Sequence, residues 1–481
     1  MNRMKITDLF HKAAQQHPGN IAIFDEEGTM TYSDVSHEIR KAAEALKTCG
    51  ISEGMGVGVH GGNSRYFIIF AYAVMECNAV VLPLSSQLSE LETLEIIQTA
   101  KLHAIIHVNN HLPFINPVTH FIRLGNQTWQ LSFNPDTSLP SSIASHVNHP
   151  ALIRFTSGTT GVSKGVVLSH HSIKERIEGA NAALQLGPED RVLWVLSMAY
   201  HFVVSIILYL HHGCGIIICN DFMATSILEL INKHNATFLY VAPVHIRLLA
   251  NDPGHLKMNS INKVISTSTA VSKQQCDAFY NRFQKPVSQA YGIIEIGLPV
   301  INFKKSVESP DAIGYAVSGY EVAILDENFS VLTPGTTGHL AIRGPGMLDA
   351  YLSPPVTRDQ ILKHGWFLTG DLASISEDGL IMVEGRLKSM INVAGNKVFP
   401  EEVESIINQF PGVVASRVSG YRHSLLGESV QAELLVKTGI ALPDTEVIRN
   451  FCRERLSPHK VPQKILFVNE LPMTDSGKLK R

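Results

Sequence analysis

Thr156-Ser157-Gly158-Thr159-Thr160-Gly161-Val162-Ser163-Lys164-Gly165 is a run of small residues, hydroxyls and three glycines with a single lysine near its end. Glycine lets backbone N–H groups approach an anion closely, serine and threonine add donors, and Lys164 adds a full positive charge. The composition suits a loop that closes over phosphate. It is not a Walker loop, because the glycine–lysine spacing differs and no serine or threonine follows Lys164. Apolar segments lie on both sides, Ala151 to Phe155 before the loop and Val166 to Leu168 after it. Two such runs around a glycine-rich turn read as a β-hairpin rather than a strand leading into a helix.

Working outward, the chain of 481 residues is 45% hydrophobic and 17% charged, enough for a large core and more than one domain. A net charge of −3 gives no reason to expect nucleic acid or an anionic membrane as partner. The six cysteines, Cys49, Cys77, Cys214, Cys219, Cys276 and Cys452, lack metal-ligand spacing and read as reduced thiols of a cytoplasmic protein. Residues 1–19 contain no apolar core of a secretion signal. The most apolar stretch, Phe202 to Cys219, is interrupted by His211, His212, Gly213 and Gly215, so it reads as a helix followed by a strand and no membrane span is expected.

Hydrophobic periodicity predicts helices over Ile6 to Gln16, Asp34 to Cys49, Tyr66 to Glu76 and Ser89 to Ala100. Strands are expected at Val57 to Val59 and Ala79 to Leu84, with a short strand pair ending at Thr31-Tyr32. Alternation of this kind implies sheets covered by helices. Farther on, Tyr291-Gly292-Ile293-Ile294-Glu295 combines an aromatic face for a base, a glycine turn and a carboxylate able to hold Mg2+ against phosphate oxygens.

The ten residues from Thr156 to Gly165 resemble the phosphate-binding loop of the adenylate-forming superfamily, which includes acyl-CoA synthetases, aryl-CoA ligases, peptide-synthetase adenylation domains and luciferases. Other stretches resemble its landmarks in order, among them Met198 to Phe202, Tyr291 to Glu295, Gly365 to Asp371, Glu384 to Gly395 and Pro472 to Lys478. The resemblance spans nearly the whole chain. It implies that Thr156, Ser157, Gly158, Thr159, Thr160, Gly161 and Lys164 hold the phosphates of ATP, that Tyr291 and Gly292 meet the base, and that Glu295 binds the metal and serves catalysis. Asp371, expected at the end of a strand, would accept the ribose hydroxyls, with Arg386 also on the ribose. His201 would stand at the mouth of an acyl pocket walled by Phe202, Val203, Thr269, Ala270 and Ala290, in contact with the reacting groups. Lys478 would bridge the attacking carboxylate and the α-phosphate, Lys388 would be a hinge, and Gly395 would leave room for a pantetheine arm.

The chain departs from the family pattern in several places, among them His339, where the family usually has an acidic residue. Ile294 stands where relatives have a threonine that contacts the α-phosphate, a loss of about 1–3 kcal/mol of transition-state binding. Ser163 replaces a usual proline, and Ser266-Thr267-Ser268-Thr269-Ala270 replaces a run that often carries a glycine pair, which predicts a shallower acyl pocket than in long-chain synthetases. Where amino-acid-activating relatives place an aspartate, this chain has His201 followed by Phe202, Val203 and Val204, a wall that leaves an ammonium unpaired. A small carboxylic acid with an uncharged tail is the expected substrate.

The implied fold is α/β: a large multi-sheet N-terminal domain over residues 1–385, a hinge at 386–388 and a small mobile α/β domain over 389–481. The implied activity is that of an AMP-forming acid–thiol ligase using ATP, Mg2+ and coenzyme A. Two alternatives stand beside it: an enzyme that loads the acid onto the pantetheine of a separate acyl carrier protein, and a relative that binds nucleotide or acyl ligand without turnover.

Overall fold

A computed structural model of the chain describes residues 4–108, 117–136, 138–156, 164–393, 396–423, 427–437, 444–473 and 479. The architecture is mixed α/β, and contacts divide the chain into two units, residues 1–321 with 343–365 and residues 322–342 with 366–481.

In the first unit the described residues build two nine-stranded sheets. One has the parallel strands Arg191–Trp194, Gly215–Ile218, Phe238–Val241, Lys263–Ser266 and Val287–Ile293 at its centre. The helices Ala224–His234, Pro243–Ala250 and Lys273–Phe283 alternate with these strands and bury Ile227, Ile231, Ile246, Leu249, Phe279 and Phe283 against Leu193, Leu239 and Val241. Each helix hides one apolar face, and the sheet offers the matching surface. The expected helices at the start of the chain are present as Ile6–Gln16, Tyr32–Thr48, Arg65–Glu76 and Glu90–Ala100. The second of these begins at Thr31, whose side chain accepts from the Asp34 N–H while the Asp34 carboxylate accepts from the Thr31 N–H.

The second sheet carries the hairpin read from the sequence. Pro150–Thr156 runs antiparallel to Lys164–Ser169, with Arg154 opposite Val166 and Thr156 opposite Lys164. A short third strand, Ala350–Tyr351, pairs outside Lys164–Ser169 and sets Tyr351 opposite Val166. Side chains alternate across a strand, and directly opposed residues share a face. One face, with Ile153, Phe155, Val167, Ala350 and Leu352, packs onto Val80, Leu82 and Ile97. The register therefore puts Arg154, Lys164, Val166 and Tyr351 together on the other face.

The apolar stretch after Ser197 forms the helical turns Met198–His201, Phe202–Ile207 and Leu208–His211 and then the strand Gly215–Ile218, as its interrupted pattern predicts. Among the described residues no helix is long and apolar enough to cross a membrane.

The second unit contains a four-stranded sheet in the order Glu321–Leu325, Gly338–Arg343, Phe367–Ile375, Ile381–Arg386. Its other sheet is built on the long hairpin Val413–His423 and Gly427–Val436, with Lys464–Val468 alongside. The helices Pro400–Ile407 and Thr445–Arg453 contribute Val403, Ile407, Ile448 and Cys452 to the core of that sheet.

Two local expectations are corrected. Asp371 lies inside the strand Phe367–Ile375 rather than at its end. The strand continues because it pairs with Ile381–Arg386 as far as Ile375 opposite Ile381, and the positive φ of Gly370 (+79°) bends it instead of ending it. Gly292 is likewise in a strand, Val287–Ile293, and the turn falls at residues 294–296. Glycine is needed there for close approach, since a Cβ would lie 2.6 Å from the Gly297 carbonyl oxygen.

Candidate functional site

The hairpin face and the turn after Val287–Ile293 form a connected group in the first unit. The Lys164 Nζ sits 4.8 Å from the centre of the Tyr351 ring, and the Tyr351 hydroxyl donates to Glu295 Oε1 at 3.3 Å. Burial and the adjacent Glu295 carboxylate raise the Tyr351 pKa well above its ordinary value, so this phenol stays protonated and donates. Thr156 and Lys164 flank the mouth of the glycine-rich loop, and Ser157, Gly158, Thr159, Thr160, Gly161 and Ser163 lie outside the described residues.

Glu295 is held from behind by a residue the sequence reading did not single out. Arg176, on the helix His170–Leu184, is 1% exposed. It donates to the Ile294 carbonyl at 2.6 Å, the Glu295 carbonyl at 3.3 Å and the Gly346 carbonyl at 2.6 and 2.8 Å. Burial pulls its pKa down to about 10, which still leaves it charged near neutrality. Room for it comes from Gly297 and Gly346, where a Cβ would lie 2.7 Å and 2.6 Å from Arg176 side-chain carbons. One guanidinium thus fixes the turn carrying Glu295 and the segment leading to Tyr351. The signal was available: Arg176 falls on the buried stripe of Ile173, Ile177, Ala180 and Leu184, where a charge needs partners.

His201 ends the turn Met198–His201, whose start is pinned by Asn63 accepting from the Met198 N–H at 2.8 Å and donating to the Leu196 carbonyl at 2.9 Å. Its ring meets Trp194 edge-on at 6.1 Å and Tyr240 at 6.5 Å, and those two rings stack at 5.9 Å. Tyr240 is buried and hydrogen-bonded to Thr267. The next residue of the run, Ser268, takes a left-handed backbone (φ +78°) that favours glycine. Phe202 and Val203 are buried, with the Phe202 ring 5.9 Å from Phe67 and 6.3 Å from Tyr72. Thr269 and Ala270 are exposed, and Ala290 is buried in the strand that leads to Tyr291. Gln289 holds the segment by accepting from the Val271 N–H at 3.0 Å and donating to the Pro310 carbonyl at 2.7 Å.

In the second unit Asp371 is 4% exposed, and Arg386, directly opposite on the neighbouring strand, donates from Nε to its Oδ1 at 2.9 Å. The Asp371 N–H donates to the Thr369 hydroxyl at 3.1 Å. Lys388 is exposed on the single helical turn Leu387–Ser389. Gly395 and Lys478 lie outside the described residues.

The site contains a fit for a divalent cation of limited kind. Among the described residues no group of three or more His, Cys, Asp or Glu is gathered as a metal cluster. A cation at Glu295 would complete its shell from phosphate oxygens and water, which is how Mg2+ is commonly held beside a nucleotide.

Comparisons with known proteins show the family of the chain. A family model described as AMP-binding enzyme matches residues 10–352, and one described as AMP-binding enzyme C-terminal domain matches residues 402–478. The chain is 27% identical to a probable CoA ligase from Humulus lupulus, over 100% of this chain and 96% of that one. It is 25% identical to a fatty acid–acyl-carrier-protein ligase from Streptomyces coeruleorubidus, over 99% and 94%. Among solved structures, o-succinylbenzoate CoA synthetase from Bacillus subtilis, in complex with its acyl-adenylate intermediate, matches with a TM-score of 0.86 at 20% identity, over 100% and 98% of the two chains. With one family model covering most of its length and the second its C-terminal part, the chain belongs to the AMP-binding, adenylate-forming enzymes, and its named relatives are acid–thiol ligases.

Proposed function

We propose that this chain activates a small carboxylic acid with MgATP as its acyl-AMP and transfers the acyl group to the thiol of coenzyme A. The observation that carries the reading is the connected face of Lys164, Tyr351 and Glu295. It places a cation at the mouth of a phosphate-type loop and a carboxylate on a clamped turn beside it. In the first half-reaction the acid's carboxylate oxygen attacks the α-phosphorus, the bond to the β-phosphate breaks, and pyrophosphate leaves. Lys164 and the loop from Thr156 hold the departing phosphates, and Tyr291 meets the base. Glu295, kept in place by Tyr351 and Arg176, would be the protein ligand for Mg2+, which would supply neutralisation of phosphate charge. The resemblance gives Lys478 the bridging role, Asp371 and Arg386 the ribose, and His201 the acyl mouth.

In the second half-reaction the thiolate attacks the acyl carbon and AMP leaves with the electron pair. The resemblance assigns Lys388, as a hinge, and Gly395, as room for a pantetheine arm, to this step. The side chains of Ser266 to Ala270 in place of the family's glycines and the aromatic group of Trp194, His201 and Tyr240 favour a short or aromatic acid with an uncharged tail. A second reading, in which the acceptor is the pantetheine of a carrier protein, is favoured by the relative that ligates fatty acid to acyl carrier protein.

The test is thioester formation from MgATP with a panel of short, medium, long-chain and aromatic acids, offered coenzyme A or a holo carrier protein. Acyl-CoA formed from one acid class supports the proposal and names the substrate. Thioester on the carrier alone moves the reading to the alternative. Nucleotide binding without turnover on any acid contradicts both.

A further inference from the structure

The strand before the glycine-rich loop carries a cation that the reading above leaves unused. Ala151, Leu152, Ile153 and Phe155 are the residues expected of a core strand, but between Ile153 and Phe155 stands Arg154. The hairpin register sends it to the same face as Lys164 and Tyr351. Its guanidinium carbon lies 5.7 Å from the centre of the Tyr200 ring, beside His201, and it feels the Glu295 carboxylate electrostatically. Its Nε is buried with no hydrogen-bond partner among the described residues. Burial pulls its pKa down to about 10, so the group remains a cation near neutrality. Arg176, in contrast, fills its donors with backbone carbonyls. A guanidinium left with donors to spare is a receptor for an anion.

Two anions have business at this place, where Arg154 lies beside Tyr200 and within electrostatic reach of Glu295. One is a phosphate, for which Lys164 and the loop already provide. The other is the carboxylate about to attack, which must approach a negatively charged α-phosphate. We propose that Arg154 receives and orients the carboxylate of the acid being activated, an inference that rests on the acid-activating reading. A donor fork on a strand holds a carboxylate in a fixed direction, and its charge offsets the repulsion between carboxylate and phosphate. The tail then points away from the cation toward the aromatic group of Trp194, His201 and Tyr240.

The experiment is acid-dependent ATP–pyrophosphate exchange in the wild-type chain, Arg154→Met and Arg154→Lys, with acid and MgATP varied in turn. Methionine keeps most of the side-chain volume, and ATP binding by titration reports whether the variant is folded. Arg154→Met is expected to raise KM for the acid about tenfold to a hundredfold, with KM for MgATP changed by less than about threefold. Arg154→Lys is expected to recover part of the loss, and the loss is expected to be the same for acids with neutral tails and acids with a second carboxylate. An unchanged KM for the acid in Arg154→Met overturns the inference while leaving the acid-activating reading intact. So does a loss confined to dicarboxylates, which would make Arg154 a tail receptor, or an equal rise in KM for MgATP. A wild-type chain that exchanges pyrophosphate with no acid removes the underlying reading, and this inference with it.

Discussion

Glu295 and Asp371 are both carboxylates that resemblance assigns to nucleotide binding, and the protein treats them in opposite ways. Asp371 is nearly buried inside a strand, with the Arg386 guanidinium against it. Glu295 is on a turn, accepts the neutral Tyr351 hydroxyl at Oε1 as its side-chain partner among the described residues, and is steadied through its backbone by Arg176. A carboxylate already matched to a guanidinium is suited to accepting hydrogen bonds in a set direction, as from ribose hydroxyls. A carboxylate that has no guanidinium hydrogen-bonded to it among the described residues is suited to a cation that arrives with its ligand. Position in the backbone follows the same division. Asp371 borrows rigidity from a β-ladder, whereas Glu295 needs a buried arginine to make a turn rigid.

The comparison can be broken most severely at Glu295. Glu295→Gln is expected to lower kcat for acyl-AMP formation about a hundredfold to a thousandfold and to raise the Mg2+ concentration needed for half-maximal rate. Rate against Mg2+ concentration checks this, and an unchanged Mg2+ requirement would count against the metal role. Arg176→Met is next. It strands the buried carbonyls of Ile294 and Gly346, and the expected cost is about 2–4 kcal/mol of stability, read from chemical denaturation, with a weaker Mg2+ response in the surviving protein. A variant as stable as the wild type would mean that the turn does not depend on this clamp.

Asp371→Asn should act on the nucleotide rather than the metal. KM for MgATP is expected to rise about tenfold with the Mg2+ requirement unchanged. The stability cost should be small, because Arg386 is 47% exposed and water can replace its partner. An altered Mg2+ requirement would erase the distinction between the two carboxylates. The smallest effect is expected from Tyr351→Phe, which removes a single hydroxyl from Glu295 and should cost adenylation about twofold to tenfold, measured as initial rate at saturating ATP. A hundredfold loss would give the tyrosine a direct part in the reaction.

How much of this was legible in the sequence differs from residue to residue for physical reasons. The hairpin around the glycine-rich loop was legible because apolar runs on both sides of a turn have few other folds. The alternating strands and helices were legible by period, and Glu295 and Asp371 by their place in ordered motifs. The position of Asp371 within its strand was not, because Gly-Asp looks like a turn and only the pairing partner, Ile381–Arg386, continues the strand past it. Arg154 was hidden in a segment that reads as apolar on average, and its direction became visible only from the register of the hairpin. Arg176 sits in a run, Lys174-Glu175-Arg176, that looks solvated. The apolar stripe on which it falls was the clue to its burial, but its carbonyl partners are more than a hundred residues away. Tyr351 gains its contact with Glu295 from a two-residue strand that no local pattern announces.

The most direct test of the central claim, that this site activates a carboxylic acid at phosphorus before any thiol is needed, is isotope exchange between pyrophosphate and ATP in the absence of coenzyme A and carrier protein. Exchange is expected to require Mg2+ and one class of acid, and to fall sharply in Glu295→Gln. Exchange that proceeds without any acid, or none with any acid while thioester still forms from acyl group, ATP and thiol together, would contradict it.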